Sequence, residues 1–268
     1  MKSRAEFVYC TAEPLAGGLM TTAVILALIV AAAGLAVFGA GRIELPRRSS
    51  LEAIENREAA RAYDRISAWP QFRLLRRVIV GHLARHDPEG LLADIGCGPG
   101  WLAFLIARRH PRVRVIGVDA STEMVEVATA RAASLGLNDR VEFRLGDVGA
   151  LPLAEGSIDF ALSTLSLHHW SDPAQGLREI HRVLKPGGRL LLFDLRRDAR
   201  RFTYWLLRFA RRFVVPSPIR RVNEPVGSLQ ASYTLAELRG LFAGLPFEEY
   251  RIDGAAAWAF TWAAKSRR

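Results

Sequence analysis

Cysteine is almost missing from this 268-residue chain: only Cys10 and Cys97 occur, far apart and with no histidine or cysteine at metal-ligand spacing. That excludes a disulfide framework and a zinc site, and it fits a domain facing the cytosol. No internal repeat or low-complexity tract stands out. Acids are in short supply, 27 against 37 Lys and Arg, so the formal net charge is +10 and the pI about 10.5. Such an excess points to an anionic neighbour: nucleic acid, a membrane surface or an acidic substrate. The length suffices for one large α/β domain with an ample core.

Charge is missing altogether between Glu13 and Arg42. The core of that stretch, Leu19 to Ala40, would be roughly 33 Å long as a helix, enough to cross a bilayer. A buried core helix of this length would be unusual without polar interruptions. A cleavable leader competes too, since Val37-Phe38-Gly39 places small residues near its end, but its apolar region would be unusually long. The stretch therefore reads as a single transmembrane helix. Lys2 and Arg4 precede it while Arg42, Arg47 and Arg48 follow, a bias that puts the following domain on the cytoplasmic side.

What the chain has in abundance is glycine at one place. Leu91 to Ile95 is a short apolar run suited to a strand buried on both faces, and Gly96, Gly98 and Gly100 follow at every second position. Trp101 to Arg109 then reads as a helix with basic residues in its last turn. Strand, glycine loop and helix start form the layout that lets backbone N–H groups approach a bound nucleotide. A dinucleotide-binding G-x-G-x-x-G would need glycine at position 101, where Trp101 stands. The pattern from Asp94 to Gly100, Asp-x-Gly-x-Gly-x-Gly, resembles instead the first motif of the class I S-adenosylmethionine (SAM) dependent methyltransferases.

The rest of the chain follows in matching order. Pro46 to Ser50 is a linker; Ser49 and Glu52 make a capping-box signature for a polar helix running to about Ala62. After Trp69-Pro70 a second helix carries Phe72, Leu75, Ile79 and Leu83, and both helices are expected beside the glycine loop. Tyr63-Asp64 either reaches the cofactor's methionine end or simply packs. Val113 to Val118 is strand two and ends on Asp119, whose carboxylate can accept from both ribose hydroxyls or cap the next helix. Strand three, Val141 to Leu145, leads into Gly146-Asp147-Val148, where a carboxylate can accept from an adenine amine and the next N–H can donate to the ring. Strand four, Gly156 to Ser163, exits through Thr164 to Trp170. Arg182-Val183-Leu184-Lys185-Pro186-Gly187-Gly188 looks very like the turn before strand five in the same family, and strand five spans Arg189 to Leu195. Thr234 and Glu237 cap a later helix, and Phe247 to Ile252 and Ala256 to Ala264 complete the sheet.

The resemblance, which covers Leu91 to Asp194, implies an α/β, Rossmann-like seven-stranded sheet with helices on both faces, here preceded by one transmembrane helix. It implies S-adenosyl-L-methionine as cofactor, held by Asp94, Gly96, Cys97, Gly98, Gly100, Asp119, Ala120, Met124, Asp147, Val148 and Thr164. The chain then divides into a tail (1–18), the transmembrane helix (19–41), linker and cap helices (42–90), the SAM-binding core (91–195), a basic lid or interfacial segment (196–233), and a last helix with the closing strands (234–268). Because the sulfonium methyl is already activated, the protein's task is orientation and proximity. If the acceptor must lose a proton, His168 and His169 are the candidates, with Thr164 and Ser166 able to orient it.

The segment Arg196 to Arg221 is the most individual. Nine arginines less Asp198 leave +8, most of the chain's charge. On a helix from about Ala199 to Val215, Arg197, Arg200, Arg201, Arg208, Arg211 and Arg212 share an arc, with Phe202, Trp205, Leu206, Phe209 and Phe213 opposite. Such a helix lies in a membrane interface or forms a lid with a solvated arginine face. Nucleic acid is disfavoured, since the Asn/Asp-Pro-Pro-aromatic motif and the Pro-Cys nucleophile of nucleic-acid methylation are absent. The expected partners are the bilayer, through Leu19 to Ala40 and the Arg196 to Arg221 segment, and a lipid or other hydrophobic small molecule. A soluble acceptor and a non-catalytic SAM-binding role are the alternatives.

Overall fold

The computed structural model of the chain describes residue 34, residues 41–48, 57–221 and 223–268. The chain divides into two compact units, 1–41 and 42–268, and the second contains every strand of the sheet. The Leu19 to Ala40 stretch lies, Gly34 apart, outside the described residues, as do Ser49 and Glu52 of the expected capping box. Among the described residues no helix is long and apolar enough to cross a membrane.

The strands are β1 Gly90–Ile95, β2 Val113–Asp119, β3 Val141–Leu145, β4 Ile158–Thr164, β5 Leu184–Leu195, β6 Glu249–Gly254 and β7 Trp258–Ala264. They form one sheet in the order β3-β2-β1-β4-β5-β7-β6. The first five strands are parallel; β7 runs antiparallel to both β5 and β6. The helices are α1 Arg57–Ser67, α2 Pro70–Ala84, α3 Trp101–Arg109, α4 Thr122–Ser134, α5 Pro173–Val183, α6 Arg201–Phe213, α7 Ser217–Arg221, α8 Val226–Ala231 and α9 Leu235–Ala243.

Strand side chains alternate across the sheet, so each strand feeds two core layers. Ala93, Ile95, Ile116, Val118, Ala161 and Leu192 pack into one layer, with α5 and α9. Leu92, Val115, Phe160, Leu162, Leu191 and Phe193 pack into the other, with α2 and α3. Burial on both faces explains why these strands read as continuous apolar runs. The chain crosses from β3 at the edge back to β4 beside β1, so the winding direction reverses between β1 and β4. Open α/β sheets bind ligands at the carboxyl ends of the strands at such a point.

Several boundaries differ from the sequence expectation: α1 runs on to Ser67, and β4 begins two residues later, at Ile158. β5 begins at Leu184, because Leu184 pairs with Ile158 before an irregularity that resumes at Phe160↔Arg189. The Lys-Pro-Gly-Gly turn fills that irregularity, and Lys185 Nζ donates to both oxygens of Asp159, at 2.7 and 2.8 Å. Asp159 in turn accepts from Leu91 N at 2.8 Å, so the turn clips β5, β4 and β1 together. The last two strands each start two residues later than expected. The basic segment differs too. Arg196 and Arg197 precede α6 and are buried, Arg196 against Asp198 and Arg197 against Glu237 and the carbonyl of Leu45. The packed face of α6 is not the aromatic one: Tyr204 and Leu207 meet Leu45, Ala199 and Leu229, while Phe202, Trp205, Leu206, Phe209 and Phe213 are exposed.

Candidate functional site

The glycine loop leaves β1 with Gly96, Gly98 and Gly100 all at positive φ, +71°, +51° and +78°. At Gly96 the reason is a close approach: a Cβ there would lie 2.1 Å from the Ser166 Oγ at the exit of β4. At Gly100 it is the helix start, where a Cβ would meet the Phe143 ring at 2.6 Å. Leu165, next to Ser166, also has positive φ, +53°, a conformation that disfavours a side chain by about 1–2 kcal/mol. The β4 exit and the loop are thus pressed together at the switch point.

Asp119 closes the loop from the β2 side. Its Oδ2 accepts from Gly98 N at 2.7 Å and its Oδ1 from Ser121 N at 3.0 Å. Burial raises its pKa, and those two N–H groups oppose the rise. Each carboxylate oxygen retains acceptor capacity. Ser121 is the cap of α4, accepting from Met124 N at 3.3 Å, so helix capping does not fall to Asp119. Asp147 accepts from Gly149 N at 2.7 Å in the loop after β3.

These elements enclose a cavity of about 230 Å³ at the carboxyl ends of β1, β2, β3 and β4. Of the residues expected to hold cofactor, Gly96, Gly98, Asp119, Ala120, Met124, Asp147 and Val148 line it, and so does His169. Asp94, Cys97, Gly100, Thr164 and His168 do not. Asp94 points into the interior behind the loop, 1% exposed, and neither oxygen has a hydrogen-bond partner among the described residues. Burial, then the neighbouring Asp119 charge, pushes its carboxyl up to about 7. Cys97 is buried toward Gly117, its thiol raised by burial and by both aspartates. Thr164 ends β4 within the sheet, one residue before the wall begins at Leu165.

The two histidines separate. His168 is buried, its Nδ1 2.7 Å from Asp194 Oδ1 and its backbone N donating to Asp194 Oδ2 at 3.0 Å. Burial alone would lower its pKa, but Asp194 outweighs that and raises it. His169 lies beside it, with ring centroids 4.1 Å apart and planes tilted by 44°, and faces the cavity. Burial and the adjacent His168 charge push His169 down to about 3. At neutral pH it is a neutral imidazole, suited to accepting or donating a hydrogen bond and not to titrating.

α1 covers the loop. Tyr63 lines the cavity, its hydroxyl pushed up to about 12 by burial and by the Glu224 and Asp119 charges. Asp64 accepts from Trp101 Nε1 at 2.9 Å and pairs with Arg131 at 2.7 Å. Arg131 also donates to Pro99 O at 2.7 Å and lies over the Trp101 ring at 4.1 Å. Trp101, where a dinucleotide fold would have glycine, is the post on which the cap helix is fixed. Sequence reasoning missed Arg131 and Asp194. Asp194 carried a legible signal, an acid closing an apolar strand as Asp119 does; Arg131 carried none.

Among the described residues no cluster could hold a metal ion. The donor set fits a nucleoside with a charged amino-acid tail: a loop open to backbone approach, a carboxylate over it, and a second carboxylate beside apolar walls.

Residues 93–192 match the methyltransferase domain family. The chain is 32% identical over 158 residues to a demethylmenaquinone methyltransferase of Porphyromonas gingivalis, covering 58% of this chain and 64% of that one. It is 42% identical over 103 residues to the 27-O-demethylrifamycin SV methyltransferase of Amycolatopsis mediterranei, covering 38% of each. A structure from Methanococcus maripaludis described as an S-adenosyl-L-methionine-dependent methyltransferase superposes with a TM-score of 0.64 at 23% identity, covering 82% of this chain and 98% of that one. The chain spans 36–64% of the length of the first curated relatives it matches. The fold is that of the class I SAM-dependent methyltransferases, and the cofactor is S-adenosyl-L-methionine.

Proposed function

We propose that this chain, with its class I fold and SAM as cofactor, moves a methyl group to a hydrophobic, membrane-associated acceptor of lipid, quinone or isoprenoid type. The observation that carries methyl transfer is the cavity at the β1/β4 switch point, which the glycine loop, Asp119 and Asp147 line together with His169 and Tyr63. Asp119 is preset by its two backbone bonds to accept the ribose hydroxyls. Asp147 and Val148 take the adenine edge, Ala120 and Met124 its faces, and Gly96 and Gly98 admit the amino-acid tail to the main chain. Bound there, SAM supplies a sulfonium-activated methyl group for an in-line displacement.

The remaining wall orients the acceptor. His169, held neutral, hydrogen-bonds the acceptor group; the Ser166 hydroxyl accepts from Trp170 Nε1 at 2.9 Å and keeps its own proton to donate. Leu165 and Trp170 exclude water. The hydrophobic acceptor and a single-pass anchor with the domain toward the cytoplasm are supported by the uncharged Leu19 to Ala40 run. A soluble acceptor is the second reading, favoured by the identity to the rifamycin methyltransferase.

The test uses detergent-purified protein, methyl-labelled SAM and total membrane lipid, followed by solvent extraction. Label in the organic phase supports the lipid-soluble acceptor, and mass spectrometry of the product names it. SAM binding without organic-phase label moves the assignment to a soluble acceptor.

A further inference from the structure

Helix α6 presents to solvent what a folded domain ordinarily buries. Phe213, Phe209 and Trp205 are 66%, 58% and 53% exposed, and Phe202 and Leu206 lie between them. At about 100° per residue these five fill an arc of roughly 100°. Along one border of that arc run Arg208, Arg201 and Arg212, with no acid paired to them among the described residues. Arg208 lies 5.7 Å from the Trp205 ring centre and Arg212 5.1 Å from that of Phe213, so the charges sit directly against the aromatic stripe. The helix is not loosely attached: Tyr204 and Leu207 fix its other side to Leu45, Ala199 and Leu229.

A second observation says what covers this face. The backbone of Arg42 is bridged to Arg200, the residue just before α6, and Ile43 N donates to Ala199 O at 3.0 Å. Arg42 is the first charged residue after the uncharged run that ends at Ala40. A run of bilayer-spanning length therefore ends, in sequence, two residues before the segment that is bonded to the start of the basic aromatic helix. A second copy of the chain would bring an identical arginine row and repel it, whereas anionic headgroups complement it.

We infer that α6 is an interfacial helix that docks the domain on an anionic bilayer, its arginines on the headgroups and its aromatic stripe at the acyl boundary. Beyond α6, Val215 and Ile219 pack with Ala62, Ile66 and Tyr63, so the docked surface adjoins the helix that carries a cavity-wall residue. Docking of this kind does not depend on the identity of the methyl acceptor.

Hydrogen exchange on the full-length protein tests it. The protein is brought from detergent into vesicles of phosphatidylcholine alone, or of phosphatidylcholine with phosphatidylglycerol, and the amides of residues 201–213 are followed. Exchange on the phosphatidylglycerol vesicles should slow about tenfold relative to neutral ones. The combined variant Arg201→Glu, Arg208→Glu, Arg212→Glu should lose that slowing while β1 and β4 amides and SAM binding stay unchanged. Equal exchange on both vesicles overturns the inference. So does protection that follows protein concentration, which would mean a second copy, or protection that follows added RNA. SAM binding and label transfer, read in the same samples, report separately on the methyltransferase reading.

Discussion

The cavity and helix α6 both set charge beside apolar groups, and they do it in opposite ways. In the cavity wall and directly behind it the charges are few and buried. Asp119 is held by two backbone N–H groups, His168 by Asp194, and Asp94 by no hydrogen bond among the described residues. On α6 the charge is arginine alone, and Arg201, Arg208 and Arg212 are exposed with no acid beside them among the described residues. Burying a charge is expensive unless it is partnered, so each of these buried groups has an individual task or an individual penalty. Exposed arginines carry little energy one at a time and act as a field. Single substitutions should therefore be severe in the first region and slight in the second.

The largest effect is expected at the point of closest approach. Gly96→Ala adds a Cβ 2.1 Å from Ser166 Oγ at φ +71°. Ser166 cannot swing away freely, because Trp170 Nε1 is bonded to it. Left-handed backbone and overpacking together should remove about 2–5 kcal/mol, divided between stability and SAM affinity. Calorimetric SAM titration and thermal unfolding read the two parts, and an unperturbed variant would show that the β4 exit is not pressed on the loop.

Asp94 tests whether burial penalises charge here. Its folded pKa, about 7, lies above the ordinary 3.8, so the folded state binds the proton more tightly. The stability this contributes is present below about pH 4 and is lost as pH rises through about 7. Asp94→Asn, without cofactor, should flatten that slope and stabilise the protein by about 2–4 kcal/mol at pH 8. Denaturant midpoints at pH 5 and 8 check it; a slope identical in both proteins would place the titration elsewhere.

How much of the site is readable in advance depends on the range of each interaction. Asp94 to Gly100, Asp119 and Asp147 are legible because a strand-end acid and a glycine loop are local patterns with a fixed chemical purpose. The depth of those residues is not. That Asp94 and Cys97 turn inward while Gly96 and Gly98 face the cavity depends on Ser166 and Phe143, contributed by the β4 exit and by β3. His168 and His169 stand out as a pair, but only Asp194, 26 residues beyond His168, separates their roles. Likewise the helical period places the α6 aromatics together yet cannot say which face the domain takes. Leu45 and Leu229, distant in sequence, select Tyr204 and Leu207.

His169 provides a smaller and sharper test. Held down to about 3 by burial and by His168, it stays neutral across the physiological range. Between about pH 6 and 8 the methyl-transfer rate should change less than about twofold through this residue. His169→Gln, which keeps a hydrogen-bonding group, should retain the rate within about tenfold. A clear inflection near pH 6.5 that vanishes in His169→Gln would mean that the imidazole titrates and acts as a base after all.

The smallest effect is expected at the larger of two apolar side chains on α6. Phe209 is 58% exposed and Leu207, two residues away on the same helix, is packed on Leu45, Ala199 and Leu229. If the aromatic stripe belonged to the core, Phe209→Ser would be the more damaging change, since it removes more apolar surface. In solution Phe209 is already wet, so Phe209→Ser should shift unfolding free energy by no more than about 0.5 kcal/mol, whereas Leu207→Ala should lose about 1–3 kcal/mol. Parallel denaturant titrations of the two variants decide between these. The reverse order would mean that the stripe is covered within the protein itself, and the contrast between a cavity that spends stability on buried charge and a helix that leaves its surface free for a partner would fail.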